Sequence, residues 1–191
     1  MLKPGTKPLE TERLILRRFK PEDAEEMYRN WASDPEVTRF LTWPCHPSPE
    51  ATKALLEEWA ARYADGGVFN WAIEHRGSRQ VIGSIAVAKL IEEISSAEIG
   101  YCLSRGFWGQ GIMPEALMAV MHFLFEEAEV NRICACHDVN NPNSGRVMEK
   151  AGMKYEGTLR QAGKNNRGIC DIVVRAALRR EWKAAGSISS K

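Results

Sequence analysis

Leu117, Val120, Met121, Leu124 and Phe125 recur at the i, i+3, i+4, i+7, i+8 spacing of one buried helical face, so the pattern predicts a long helix there. Elsewhere the period is two. Arg13-Leu-Ile-Leu-Arg-Arg-Phe19 alternates charged and apolar residues and predicts a half-buried strand over 13–19. Further strands are predicted over 68–74, 81–90, 97–103, 132–139, 154–161 and 170–178. Helix starts are marked by Pro21-Glu-Asp, Asp34-Pro-Glu and Ser48-Pro-Glu. Asn141-Pro-Asn-Ser-Gly-Arg-Val-Met-Glu-Lys-Ala-Gly152 reads as a short helix with an Asn cap, a first-turn Pro and a Gly stop. Between the second and third helix starts lies the loop Leu41-Thr-Trp-Pro-Cys-His-Pro, with Trp43 expected at the surface. The order is mixed α/β with a strand-rich middle. It predicts one domain over 1–182, a single mixed sheet flanked by helices, followed by a loose polar tail over 183–191.

Charge narrows the function classes. The chain of 191 residues carries 26 Lys and Arg against 25 Asp and Glu, a formal charge of +1, which argues against extended nucleic-acid binding. No apolar run approaches the roughly 20 residues that cross a bilayer, and Met1-Leu-Lys-Pro-Gly lacks a signal-peptide core. The expectation is a cytoplasmic protein without membrane partners. Five cysteines (Cys45, Cys102, Cys134, Cys136, Cys170) read as reduced thiols. Cys134 and Cys136 alternate on one strand face as small core residues, and the four histidines show no ligand spacing, so no metal site is expected.

Gly106-Phe-Trp-Gly-Gln-Gly-Ile-Met-Pro-Glu-Ala116 links the strand over 97–103 to the long helix. A strand, a glycine-containing loop and a helix N-terminus form an anion site, because first-turn N–H groups lack helical acceptors and the macrodipole is positive there. Gly109 and Gly111 let a diphosphate approach the backbone. Pro114 stands where a dinucleotide fingerprint needs its third glycine, and no Walker Gly-Lys-Ser/Thr occurs.

Together these segments resemble the GNAT superfamily of acetyl-CoA-dependent N-acetyltransferases, and within it the branch that acetylates the N-termini of ribosomal proteins. The resemblance rests on Thr11-Glu-Arg-Leu-Ile-Leu-Arg, Ala97-Glu-Ile-Gly-Tyr-Cys-Leu, Trp108-Gly-Gln-Gly-Ile-Met-Pro-Glu-Ala and Asn141 through Met153, and covers roughly 11–178. It implies a mostly antiparallel sheet of about six to seven strands with a splayed central pair. In the family's phosphate-loop pattern, Gln/Arg-x-x-Gly-x-Gly/Ala, Trp108 takes the first place, Gly111 the invariant-looking one and Met113 the last. The first and last are departures, tolerable because backbone N–H groups of Trp108, Gly109, Gln110, Gly111, Ile112 and Met113 would make the contacts.

The same resemblance implies that Tyr101, Cys102 and Leu103 present backbone to the pantetheine arm, as an added strand would, and that an N–H there polarises the thioester carbonyl. Cys102 is then a neighbour, not a nucleophile, since the family transfers acetyl without an acyl-enzyme. The Tyr that many relatives use as acid is Met148 here, and the branch's Ser matches Ser144. Asn141 would contact the donor arm as well as cap its helix. The branch's Glu base is Gly163 here, leaving Glu98 as the candidate, against a plain surface carboxylate. Trp43, Trp71 and Tyr101 either wall the acceptor pocket or belong to the core. The expected activity is acetyl transfer from acetyl-CoA to a primary amine, with a protein N-terminus, a small amine and a catalytically idle CoA-binding module as competing readings. The C-terminal strands offer a pairing edge for a homodimer.

Overall fold

The computed structural model describes residues 1–65 and 67–182; the tail expected over 183–191 lies outside them. The elements are β1 (Leu9–Glu10), β2 (Leu14–Arg17), α1 (Ala24–Met27), α2 (Pro35–Thr38), α3 (Pro49–Arg62), β3 (Asn70–His75), β4 (Gln80–Ile91), β5 (Ser96–Leu103), α4 (Ile112–Glu126), β6 (Arg132–Asp138), α5 (Pro142–Lys150), β7 (Lys154–Asn165) and β8 (Gly168–Leu178). They build one sheet of eight strands in the order β1-β2-β3-β4-β5-β6-β8-β7. Neighbours are antiparallel except β5 and β6. The extra strand beyond the expected six to seven is β1, whose two residues are too short to show a period.

Both faces of the sheet are covered, as the near-continuous apolar runs of its middle strands require. On one face α4 buries Leu117, Val120, Met121, Leu124 and Phe125 against Leu14, Leu16, Ile73, Ile82, Ile85 and Ile99. On the other, Phe19, Met27, Trp31 and Leu56 pack over Ala72, Val81 and Cys102. The helix expected from Pro21 is not continuous. A 3-10 turn over Pro21–Asp23 leads into α1, and a π turn over Tyr28–Ala32 follows, closed by the Ser33 N–H bonding the Tyr28 carbonyl at 3.1 Å. The widened turn carries the fully buried Trp31 and Ala32, a local change of register that residue spacing does not announce.

The expected splay lies between β5 and β6. They pair in parallel only at Ser96↔Arg132, Ala97↔Ile133 and Glu98↔Cys134. Beyond Glu98, β5 follows β4 while β6 follows β8. A bulge in β4 between Val87 and Lys89 lies opposite Ile99 and Glu98, where the strands separate, and bulges sharpen the local bend and twist. Gly83 permits the close β4–β5 approach: a Cβ there would lie 2.5 Å from the Cys102 carbonyl oxygen.

Candidate active site

Two clefts meet in the gap. The first, about 590 Å³, is lined by Trp43, Arg62, Phe69, Glu98, Gly100, Cys136 and Asp138 among others. The second, about 510 Å³, is lined by Arg39, Trp108, Gly109, Gly111, Ile112, Met113, Arg146 and Lys150 among others. Phe40, Leu41, Tyr101, Cys102, Asn141 and Ser144 border both. The junction is closed by a hydrogen-bonded hydroxyl pair. The Tyr101 hydroxyl lies 3.0 Å from Ser144 Oγ and 3.0 Å from the Ser144 carbonyl oxygen. Ser144 occupies the first turn of α5 because Asn141 caps that helix, its Oδ1 accepting the Ser144 N–H at 3.4 Å. Burial pushes the Tyr101 phenol well above its ordinary range, outweighing the bond to Ser144, so it remains a neutral donor.

The open edge of β5 follows from its ladder with β4. The Ser104 N–H donates to the Ile82 carbonyl at 2.7 Å, and antiparallel pairing alternates, so Cys102 faces Ser84 while Tyr101 and Leu103 turn their peptide groups toward the gap. This narrows the expected backbone edge. The Cys102 peptide is directed at β4, and the Leu103 carbonyl already accepts the Trp108 indole N–H at 2.8 Å. Trp108 therefore anchors its loop to the strand through its side chain.

The loop that follows has the shape of an anion cradle. Gly109 and Gly111 have φ values of 76° and 77°, a left-handed conformation that favours glycine, and Gly111 caps α4. Ile112 and Met113 are buried in the core beneath and also border the second cleft. Gln110 does not line it. Its amide donates back to the Gly106 carbonyl at 2.8 Å.

Glu98 borders the first cleft, and among the described residues its carboxylate has no hydrogen-bond or ion-pair partner. Asp138 is otherwise engaged: it accepts from the Asn140 backbone, the Asn140 side chain and Asn165 Nδ2, and these bonds, working against burial, hold its carboxyl below the usual range. Cys102 and Cys136 are each pushed up to about 11 by burial, which keeps both thiols protonated at neutral pH. Met148, buried in the core, has no proton to give. Gly163 is held by packing, since a Cβ there would meet Ile172 at 2.5 Å.

Of the two expected pocket tryptophans, Trp43 lines the first cleft. Trp71 does not. It is 0% exposed, stacks edge-on against Phe123 at 5.7 Å and donates its indole N–H to the Lys7 carbonyl. Its alternation on β3 places it on the α4 side, away from the gap. The clamp on the Trp43 loop is absent from the sequence reading. Asn166, in the β7–β8 turn, donates from Nδ2 to the Thr38 and Trp43 carbonyls, each at 2.8 Å, and from its N–H to the Leu41 carbonyl at 3.2 Å. Asn165-Asn166-Arg167-Gly168 signals a hairpin turn, yet nothing in it says which distant loop it holds.

Among the described residues, no cluster of three His, Cys, Asp or Glu side chains is placed to hold a metal ion. No helix among them is long and apolar enough to cross a membrane.

Comparison with known proteins agrees with this geometry. The family described as acetyltransferase (GNAT) domain matches residues 13–154. YoaA of Bacillus subtilis (strain 168), named as an uncharacterized N-acetyltransferase, is 34% identical over 153 residues, covering 80% of this chain and 86% of its own. The ribosomal-protein-serine acetyltransferase of Escherichia coli (strain K12) is 34% identical over 93 residues, 49% of this chain and 52% of that enzyme. The crystal structure of an acetyltransferase (GNAT family) from Bacillus anthracis superposes with a TM-score of 0.79 at 26% identity, over 91% of this chain and 99% of that one.

Proposed function

Because the chain belongs to the GNAT acetyltransferase family, a family of acetyl-transferring enzymes, we propose that it moves acetyl directly from acetyl-CoA to a primary amine at the Tyr101–Ser144 junction. The observation that carries this reading is the meeting of two clefts at one pair of neutral hydroxyls beside an open strand edge. The second cleft suits the donor. Its glycine loop offers N–H groups to a diphosphate, and the Tyr101 and Leu103 edge suits an amide-bearing arm. The first cleft suits the amine, and supplies Glu98.

Direct transfer needs three services from the protein. The N–H groups turned into the gap stabilise charge developing on the thioester carbonyl oxygen. Ser144 donates a hydrogen bond to the departing sulfur, and Tyr101, whose own proton goes to the Ser144 carbonyl oxygen, holds Ser144 in place with its hydroxyl 3.0 Å from Oγ. Glu98 accepts the amine's proton. Three residue steps along the strand separate it from Tyr101, about 10 Å at roughly 3.3 Å per residue, so it acts through water.

The acceptor we favour is an α-amine on a protein. A reference α-amine pKa of about 7.7–8.0 leaves an appreciable neutral fraction near neutral pH, whereas a Lys-type amine near 10.4 demands a stronger base than a water-linked carboxylate. The ribosomal-protein enzyme among the relatives has an acceptor of the protein class. The test is a Ser144→Ala variant assayed by free-thiol release. We expect kcat to fall about 10- to 100-fold with the KM for acetyl-CoA nearly unchanged. Unchanged kcat would remove Ser144 from the chemistry.

A further inference from the structure

Thr11-Glu-Arg-Leu-Ile-Leu-Arg carries part of the family resemblance, yet the reaction as described gives its first residues nothing to do. The structure brings them to the back of the glycine loop, roughly a hundred positions away along the chain. Thr11 Oγ1 donates to Glu115 Oε1 at 2.6 Å, and the Arg13 N–H to the same oxygen at 3.1 Å. Arg13 Nε donates to Glu115 Oε2 at 2.7 Å and its Nη2 lies 2.6 Å from that atom. The remaining arm of the fork, Arg13 Nη1, donates to the Gln110 carbonyl at 2.9 Å.

That last bond has a directional consequence. In a planar trans peptide the C=O and the following N–H point in opposite directions. A Gln110 carbonyl turned toward Arg13 therefore aims the Gly111 N–H the other way, and Gly111 lines the second cleft. With its left-handed φ, Gly111 is also where this peptide flips most easily, because glycine tolerates either orientation. Glu115, meanwhile, neutralises the guanidinium and fixes it against the first turn of α4.

We propose that Arg13 is a positioning residue for the donor's diphosphate: held by Glu115 and Thr11, it locks the Gln110–Gly111 peptide with its N–H toward the second cleft. The proposal rests on the reading of that cleft as the acetyl-CoA site. Its effect is confined to the diphosphate, because the pantetheine arm lies against β5. The planar fork serves the carboxylate and the carbonyl from separate nitrogens held in a fixed geometry, which the single nitrogen of a Lys does not reproduce.

The test measures dissociation constants for acetyl-CoA, ADP and S-acetylpantetheine, which lacks the diphosphate, with wild type, Arg13→Ala and Arg13→Lys. Melting temperatures are recorded alongside. We expect both variants to lose about tenfold in affinity for acetyl-CoA and for ADP while S-acetylpantetheine is unaffected. Arg13→Lys keeps the charge, so its wild-type affinity for ADP would overturn positioning in favour of simple attraction. Unchanged affinities in folded Arg13→Ala, or equal losses for all three ligands, would also overturn it. A wild-type protein that binds S-acetylpantetheine and acetyl-CoA equally would reject a diphosphate site here while leaving acetyl transfer standing. Failure of wild type to bind any of the three would overturn both readings.

Discussion

At the scale of single residues, the proposed chemistry rests on Tyr101 and Ser144. A buried phenol whose pKa is raised is a poor acid but a dependable hydrogen-bond donor. In the proposed reaction its service is to hold Ser144, which donates to the leaving sulfur, without surrendering a proton outright. Tyr101→Phe is expected to lower kcat about tenfold, less than Ser144→Ala, and to leave donor affinity within about twofold. Steady-state rates by free-thiol release check the ranking, and a larger loss in Tyr101→Phe would make the phenol the direct donor. The Asn-Pro-Asn-Ser segment made Ser144 a candidate through the family resemblance, whereas the Tyr101 partnership was not legible, because it joins a strand to a helix 43 positions on. Trp71 shows the converse. An aromatic next to a site in sequence carries no sign of which sheet face it takes until the register is known.

The site depends, at the scale of elements, on how closely α5 sits on β6. Gly145 faces the His137 ring, and a Cβ there would lie 2.6 Å from its Nε2 while Nδ1 bonds the Asp138 carbonyl at 2.8 Å. Gly145→Ala forces the His137 ring to swing aside at the expense of its bond to the Asp138 carbonyl, or α5 to move outward and separate Ser144 from Tyr101. We expect a cost of about 1–3 kcal/mol in chemical denaturation and at least a tenfold loss of kcat. Wild-type activity would show that the hydroxyl pair tolerates the shift. The α4 terminus gives a pH prediction. Glu115 is held below the ordinary 4.5, burial being outweighed by bonds from Thr11 and Arg13. A depressed carboxylate contributes its stability fully above the unfolded value and loses it as pH falls through the folded one. The gap in melting temperature between wild type and Glu115→Gln should therefore be constant from neutral pH down toward the ordinary 4.5 and close as pH falls further below it. A gap independent of pH would show that the charge on Glu115 contributes nothing. The long elements and the glycine loop were legible because α4 repeats its apolar stripe and the middle strands are apolar runs bounded by turns. The two-residue β1 and the π turn at Tyr28–Ala32 were not, because tertiary packing decides both.

For the molecule as a whole, the sheet is clasped where its first helical layer begins. Arg17 on β2 donates to both Asp23 oxygens at 2.8 and 2.9 Å and to Glu74 on β3 at 2.8 Å. All three side chains are less than one-fifth exposed, so removing the guanidinium leaves two carboxylates facing each other in a sheltered place. Arg17→Ala should cost about 2–3 kcal/mol by urea denaturation, and a loss within about 0.5 kcal/mol would mark the cluster as a surface network. The opposite end of the sheet is the exposed edge β7, where Tyr155 and Leu159 are solvent-facing.

Acetyl-CoA binding tests the account most directly, because every assigned role presumes that the second cleft holds the donor. Calorimetric titration of the intact protein should give a micromolar dissociation constant for acetyl-CoA and at least tenfold weaker binding of ADP, the difference reporting the pantetheine edge of β5. No heat of binding at millimolar acetyl-CoA would contradict the account and leave this chain with the family's fold but without its donor site.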